Sequence, residues 1–517
     1  VQLTKIARKN DASALGALLF ISLLVYIPFV STTTFGERDA YRVAVGVIDA
    51  VRSGQYLASP LLYGIEKSFA YFALINLFAP LFQEKPETII PVLNYLNAFA
   101  SILTVIPYYL LVKRYWGMRA AVLANLLLMS VPVWRQTSLY SHPMTLAMMF
   151  MIWGLWLISL GPRQDTCKEA LSIKFICLEA CSVAVLALCL MNRLDASIMF
   201  LMIPGVFLLK KKSVSKIFIH SILYILLPIL VFFVFKAGLP VIKIEDADKS
   251  ASFIEQLLFW HNPVRFGDNF IYGSRLFASA FNHLYLLLFT ASCVYFWRIR
   301  KIKEFLFTFP IVLVNYVFWI PNPDPARHFI YAVPAFTLAI AIFLDNAYNT
   351  LRSSILKKKI IKFSSIALLT CLLILSNIGR YEPPYYEENL SVQDLSLLSK
   401  HLQNLEKKDK TILVIGDVIP SILHMQISSP KIRVFYKQTN IVNTFGDKMS
   451  LFTINNGVNQ FVSFSYYHAS NSAKDAQLLI SNLKEYRDVN LFVDPRLEVS
   501  KDFTDKIRSK MLYSGSS

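Results

Sequence analysis

Residues Ala12 to Val30 form a charge-free, mostly apolar run of about 19 residues, long enough to cross a bilayer as an α-helix. Comparable runs recur as far as residue 378, separated by short clusters of lysine and arginine. Hydrocarbon offers no partner for backbone N–H and C=O groups, so these runs restrict the chain to a bundle of spanning helices. Lys5, Arg8 and Lys9 precede the first run, which keeps the N-terminus cytoplasmic and brings residue 31 out on the far side. The many later runs make an uncleaved first helix the expectation, rather than a signal peptide.

Composition agrees. Hydrophobic residues make up 55% of the 517 and aromatics 14%, with a mean hydropathy of +0.47, which together indicate a polytopic membrane protein. A net charge of +18 would suggest nucleic acid in a soluble chain. Here the basic residues sit between apolar spans, with no basic face interleaved with aromatics, so nucleic-acid binding is excluded. The cysteines (Cys167, Cys177, Cys181, Cys189, Cys293 and Cys371) fall in or beside spans, and their spacing implies neither a disulfide framework nor a zinc site.

About eleven spans are expected, with residues 31–87 as a large external loop after the first. That loop holds the apolar segment Phe69 to Phe82, of about 14 residues, too short to span and better placed lying on the membrane. Ile89 to Val112 runs inward to a basic hairpin, Lys113 to Arg119, and Ala120 to Val133 returns outward to Trp134–His142. Thr145 to Leu160 and Leu171 to Leu190 follow, then the outer turn Asn192-Arg193-Leu194-Asp195. Ala196 to Leu209 runs in to Lys210-Lys211-Lys212, and Ile217 to Phe235 runs out to a second external loop over residues 237–275. Leu276 to Trp297, Phe305 to Ile320, Phe329 to Leu344 and Ile360 to Ile378 complete the set. Counting Phe69 to Phe82 as a span would reverse the sidedness of every later basic hairpin, and the charge pattern rejects it.

The chain divides into a membrane domain, residues 1–379, and a soluble extracytoplasmic region, residues 380–517. Thr411 to Ile415 and Ile432 to Tyr436 read as strands, while Leu395 to Leu405 and Ala473 to Tyr486 carry helical periodicity. This alternation predicts a small α/β domain. Gly416-Asp417 after the first strand is an ordinary strand-to-helix turn, because no further glycines complete a nucleotide-binding loop.

Polar residues with chemical potential gather at external span ends: Glu37–Arg42, Trp134–His142, Arg193–Asp195 and Asp324–His328. A carboxylate at the headgroup level can accept a proton from an acceptor hydroxyl, and cations beside it can stabilise a departing phosphate. Asp39 is the candidate carboxylate, with Glu37 and Arg42 as its neighbours; the bland alternative is a solvated acid paired with Arg38 or Arg42. Arg327 and His328 follow the turn stiffened by Pro321, Pro323 and Pro325, where arginine can grip phosphate in two places or simply snorkel to the headgroups. Arg193 and Asp195 can bind substrate or brace two helices as an ion pair, and His142 can bind substrate or start the helix at Pro143. His261, Arg265 and Asp268 are most simply polar loop residues.

The order of these elements resembles the GT-C superfamily of polyprenyl-phosphate-dependent membrane glycosyltransferases. Arg38-Asp39-Ala40-Tyr41 with Gly46 and Asp49 is similar to the first-loop segment of the oligosaccharyltransferase branch. The spacing from Asp39 to Ser53-Gly54 also fits the protein O-mannosyltransferase and aminoarabinose-transferase branch, where Asp-Glu usually stands in place of Asp39-Ala40. Lys113-Arg114-Tyr115-Trp116-Gly117, Asn192-Arg193-Leu194-Asp195 and Arg327-His328-Phe329 through Pro334-Ala335 resemble, in turn, the cytoplasmic hairpin, the Arg-Pro-Asp-type turn and the final motif of these enzymes. The resemblance covers about residues 12–345.

It implies an enzyme of the plasma membrane that moves a single hexosyl or pentosyl unit from a polyprenyl phosphate to an external lipid, glycan or protein, inverting the anomeric centre. Asp39 would be the base, and Arg327 with His328 would hold the donor phosphate. The oligosaccharyltransferase branch carries a second acidic pair, yet Trp134–His142 has no carboxylate, and no Trp-Trp-Asp motif follows in the C-terminal region. A divalent metal is therefore possible but not expected. The competing classes are a transporter or lipid-linked glycan flippase, which would place charges near the midplane or show repeated halves, and a non-enzymatic assembly factor.

Overall fold

The computed structural model describes residues 2–32, 38–54, 68–161, 173–210, 213–238, 263–320, 326–354, 411–415, 423, 427, 433–442, 448–455, 460–465 and 489–493. Among these residues, seven helices are long and apolar enough to cross a membrane, and an eighth arises if one sharply bent pair counts as a span. Helix α1 (Gln2–Tyr26) leads to an outer layer of short helices, α2 (Arg38–Ser53), α3 (Phe69–Asn76) and α4 (Ala79–Glu84). The segment 69–82 thus does not span. The chain re-enters the bundle as α5 (Ile89–Trp116), turns at Gly117 and returns as α6 (Met118–Ser130) and the short α7 (Pro132–Leu139). Gly117 has φ +90°, a region that side-chain-bearing residues rarely adopt, so the tight basic hairpin depends on it.

Helices α8 (Pro143–Leu160) and α9 (Ile173–Asn192) follow as a packed pair. The next expected span is a composite, a 3₁₀ segment over Leu194–Leu201 continued by α10 (Met202–Leu209). A 3₁₀ helix rises about 2.0 Å per residue against 1.5 Å for an α-helix, so this segment reaches about 28 Å instead of about 24 Å. The tighter winding lets a short apolar run approach the roughly 30 Å of a hydrocarbon core. Helix α11 (Val214–Gly238) then crosses.

One expectation changes in detail. Residues 263–275 of the expected second loop belong to α12 (Pro263–Phe281), and the span expected from Leu276 is broken between the end of α12 and α13 (His283–Arg298), which meet at 89°. Asn282 turns the corner at φ 68°, and its side chain accepts the Leu284 N–H at 3.2 Å, capping α13. Hydropathy merged Leu276–Phe281 with the following span, although these residues end an amphipathic helix. Helix α14 (Ile302–Trp319), a second 3₁₀ segment over Ala326–Ala332 and α15 (Val333–Ser354) follow. The eleventh expected span, 360–378, lies outside the described residues, as does the 379/380 boundary.

Contacts at one end of the bundle collect the basic hairpins. Lys113 pairs with Asp11, Arg119 lies 3.8 Å from Asp345, and the Lys301 ammonium donates to Asn346 Oδ1 at 3.0 Å. The starts of α1 and α6 and the later turns of α15 therefore share the α5–α6 and α13–α14 hairpin end, as a positive-inside arrangement requires. Helix α15 is central: 89% of its apolar stretch is buried, against 22% for α11. Small residues Ala332, Ala335, Ala339 and Ala341 let neighbours approach α15, whereas Leu226, Leu230, Phe233 and Val234 of α11 face outward as lipid-exposed side chains would.

A five-stranded sheet forms in the C-terminal region: β1 (Thr411–Ile415), β2 (Arg433–Val442), β3 (Lys448–Asn455), β4 (Gln460–Ser465) and β5 (Val489–Val493), in the order β2-β3-β4-β1-β5. Strand β1 pairs in parallel with β4 and β5, and β2-β3-β4 is an antiparallel meander. Two of these strands match the expected ones; the expected helices 395–405 and 473–486 and the turn at 416–417 lie outside the described residues.

Gly273 of α12 tests the packing. A Cβ there would run into the carbonyl oxygen of Ile320, whereas Gly16 of α1 has open space around it. Gly273→Ala should destabilise the protein by about 1–3 kcal/mol through overpacking, seen as a lowered Tm of the detergent-solubilised chain, with Gly16→Ala nearly neutral. Equal melting of the two variants would contradict the close approach.

Candidate functional site

The end of the bundle opposite the basic hairpins is organised by asparagines inside an apolar helix. Asn94 of α5 donates to the Ser31 carbonyl at 2.9 Å and accepts the Ser141 N–H at 3.1 Å. One turn on, Asn97 donates to the carbonyls of Tyr140 and, at 2.8 Å, His142. Tyr71 of α3 hydrogen-bonds Ser141 Oγ, and Ser101 Oγ donates to Ser138 Oγ at 2.6 Å. The α7–α8 turn is thereby tied both to the bundle and to the first external loop. Its own backbone groups, which would otherwise be buried without partners, find them in these side chains. Arg135 of α7 is buried, with its guanidinium 4.9 Å from the Phe29 ring centroid.

His142 is the N-cap of α8: its Nδ1 accepts the Met144 N–H at 3.2 Å. Burial, joined by the positive charges of Arg193 and His328, holds its pKa well below the ordinary histidine value. A neutral imidazole is the form that can accept at Nδ1, so the cap and the electrostatics agree.

Asp195 is the densest point of the site. Its Oδ1 accepts from Arg193 Nε at 2.9 Å and from the Tyr331 hydroxyl at 3.0 Å, and its Oδ2 accepts from Arg193 Nη2 at 2.7 Å. His328 Nδ1 stands 3.2 Å from Oδ2, close enough to pair electrostatically though off the line of a hydrogen bond. The Arg193 guanidinium and the Tyr331 hydroxyl replace the water that the carboxylate has lost. The His328 ring stacks on Trp319 with centroids 3.8 Å apart, and its carbonyl accepts from Asn315 Nδ2 at 3.2 Å.

Three of the four expected polar clusters thus converge. His142, Arg193, Asp195 and His328 are electrostatically coupled, and Arg327 sits in the same 3₁₀ turn as His328. The bracing role weighed for Arg193 and Asp195 is present as a two-point ion pair that extends to a distant turn. The fourth cluster is placed by backbone: Asp39 falls in the first turn of α2, and Arg42 one turn later. The side chains of Asp39 and Arg42 and the whole of Glu37 lie outside the described residues, as do Asp324 and His261. Arg265 and Asp268 belong to α12 instead of a loop. Sequence reasoning passed over Tyr331, Trp319, Asn94, Asn97 and Asn315. An asparagine within an apolar stretch is costly unless bonded, and that was the signal available for three of them.

Among the described residues, no three or more His, Cys, Asp or Glu side chains gather as a metal site would. The Asp195 oxygens accept from a guanidinium and a phenol, a donor set unsuited to a hard divalent cation, which takes several oxygen ligands.

No protein-family model matches this sequence, and no curated protein sequence matches it. Solved structures do. The archaeal oligosaccharyltransferase AglB from Archaeoglobus fulgidus, in complex with an inhibitory peptide and a dolichol-phosphate, superposes with a TM-score of 0.51 at 13% identity, covering 81% of this chain and 64% of AglB. The same enzyme tethered to an acceptor peptide containing the NVT sequon gives 0.51 at 12% identity, over 81% of this chain and 63% of that one. ArnT from Cupriavidus metallidurans in the apo state gives 0.51 at 12% identity, over 80% of this chain and 84% of ArnT. This chain therefore spans less than two thirds of the length of AglB. At these identities the likeness is one of fold, shared with an archaeal oligosaccharyltransferase and with ArnT.

Proposed function

We propose that this chain is a membrane glycosyltransferase moving a single sugar from a polyprenyl phosphate to an external acceptor, with inversion at the anomeric carbon. The observation that carries the reading is the gathering of two guanidinium groups, Arg193 and Arg327, around His328 at these span ends, in a fold shared with an oligosaccharyltransferase that holds dolichol-phosphate. A lipid phosphate has its charge at the headgroup level, where these cations stand and the apolar outer faces of the helices can meet its tail. In the reaction the bond between the anomeric carbon and the phosphate oxygen breaks, leaving the lipid phosphate with one more negative charge. Arg327, supported by His328, stabilises that charge. Asp39 takes the proton of an acceptor hydroxyl, or orients an acceptor nitrogen, as the new glycosidic bond forms on the opposite face. Its place in the first turn of α2 suits the role, because the helix dipole favours the ionised carboxylate.

The basic-hairpin end of the bundle is cytoplasmic in this reading, and the site end faces outward from the plasma membrane. The region from residue 380 is external as well. Supporting this, Leu423 and Ile427 pack in the same apolar cluster as α2 and α3. The acceptor is a lipid, glycan or protein, and no step requires a metal.

Asp39→Asn is nearly isosteric but removes charge and basicity, so sugar transfer should fall by about 10²–10⁴-fold while expression and membrane insertion hold. Near-normal turnover by the purified variant would remove Asp39 from the mechanism. Arg327→Lys should raise the donor KM markedly and leave the acceptor KM little changed, because lysine cannot reproduce a two-point phosphate grip. An unchanged donor dependence would return Arg327 to headgroup snorkelling. A reporter fused after residue 517 should be active only outside the cytoplasm, and cytoplasmic activity would separate the C-terminal region from the proposed site.

A further inference from the structure

Asp195 is too fully engaged to act on substrate, and one of its partners, Tyr331, lies 136 residues away in the chain. Its side chain is 11% exposed and that of Arg193 23%, so the arginine keeps more open surface than the carboxylate it pairs with. Through Tyr331 and His328 the same carboxylate grips the Ala326–Ala332 turn, which carries Arg327. Both backbone segments it joins are 3₁₀ helices of eight and seven residues, longer than the three or four in which this geometry usually persists. Asp195 lies at the start of the first segment and ties it to the second through Tyr331.

Two guanidinium groups that receive one phosphate, here those of Arg193 and Arg327, repel each other before it arrives. A buried carboxylate among them offsets the repulsion and sets their spacing in advance. We propose that Asp195 is a positioning residue: it holds Arg193 and the Ala326–Ala332 turn so that Arg193, Arg327 and His328 form one preorganised surface for the phosphate of a lipid monophosphate. This assigns Arg193 a direct contact with that phosphate and Asp195 none. It rests on the glycosyl-transfer reading above.

The test measures binding of a polyprenyl monophosphate to the full-length purified chain, together with donor and acceptor KM and kcat. Asp195→Asn should weaken lipid-phosphate binding and raise the donor KM by tenfold or more, with the acceptor KM unchanged. Asp195→Asn and Arg193→Gln should be non-additive, the double variant binding no worse than the weaker single one, because both remove the same ordered guanidinium. Tyr331→Phe, which keeps the charge and loses one hydrogen bond, should change donor affinity by less than about threefold. If Asp195→Asn does not fold, Arg193→Lys carries the same expectation, since lysine keeps a charge but loses the two-point pair. Fully additive effects, equal losses toward donor and acceptor, or unchanged lipid binding in a folded variant would overturn the positioning role alone. Failure of the unmodified chain to bind any polyprenyl monophosphate would overturn the glycosyl-transfer reading and this inference with it.

Discussion

A carboxylate sealed at the end of an apolar bundle is the interaction on which the outer half of this structure depends. Removing an ion from water costs several kcal/mol even after relaxation, and breaking a buried pair by deleting one partner typically costs about 3–5 kcal/mol. Asp195 meets that cost with a two-point guanidinium, a phenol and a histidine edge, drawn from segments on both sides of the bundle. The partners can reach it only if the Leu194–Leu201 and Ala326–Ala332 segments lie against each other. One electrostatic requirement therefore fixes which span ends are neighbours, and the cationic surface is a consequence of it.

A second constraint acts within the membrane. Lipid tails are as apolar as leucine, so hydrophobicity does not decide which helix is central; closeness of approach does. Helix α15 is enclosed because alanines recur along it, and Tyr108 of α5 reaches it to bond the Pro334 carbonyl at 2.7 Å and Thr337 Oγ1 at 2.8 Å. Helix α11 presents long aliphatic and aromatic side chains outward and stays at the edge, though Tyr224 ties it to Glu179 of α9. By hydropathy α11 reads as the better span of the two.

That contrast marks what the sequence made legible. Apolar runs and lysine-arginine clusters located the helices and grouped the basic hairpins, because apolar runs reflect transfer from water, which is nearly additive along a chain. The Asn282 corner, the 3₁₀ segments and the central place of α15 depend on packing between segments far apart in sequence, and no local pattern encodes them. The site shows the same division. That Arg193, His328 and His142 would lie at one surface followed from span ends sharing a side. That Asp195 would face inward, its oxygens occupied by Arg193 and Tyr331, did not, since Tyr331 reads as one more aromatic residue at a span end. In the C-terminal region, β1 and β2 were visible as β-branched runs, whereas the parallel pairing of β1 with β4 and β5 joins strands that local sequence leaves unrelated.

The first external loop obeys a third rule. Helix α2 buries Ala40, Tyr41, Ala44, Val45, Val47, Ile48 and Val51, a broader apolar face than one neighbouring helix can cover. The cluster that covers it draws Ile89, Ile90 and Leu93 from α5, Leu146 and Met149 from α8, and Leu423 from the C-terminal region, the last with no exposed surface. Helix α2 is thus held between the bundle and a segment almost four hundred residues later. Its first turn, which carries Asp39, takes its position from that enclosure and from α3, whose Tyr71 bonds the α7–α8 turn beside His142. Displacing Leu423 would loosen α2 on one face. The first loop and the Arg193–Asp195 pair are consequently linked through the turn that carries His142, which touches both.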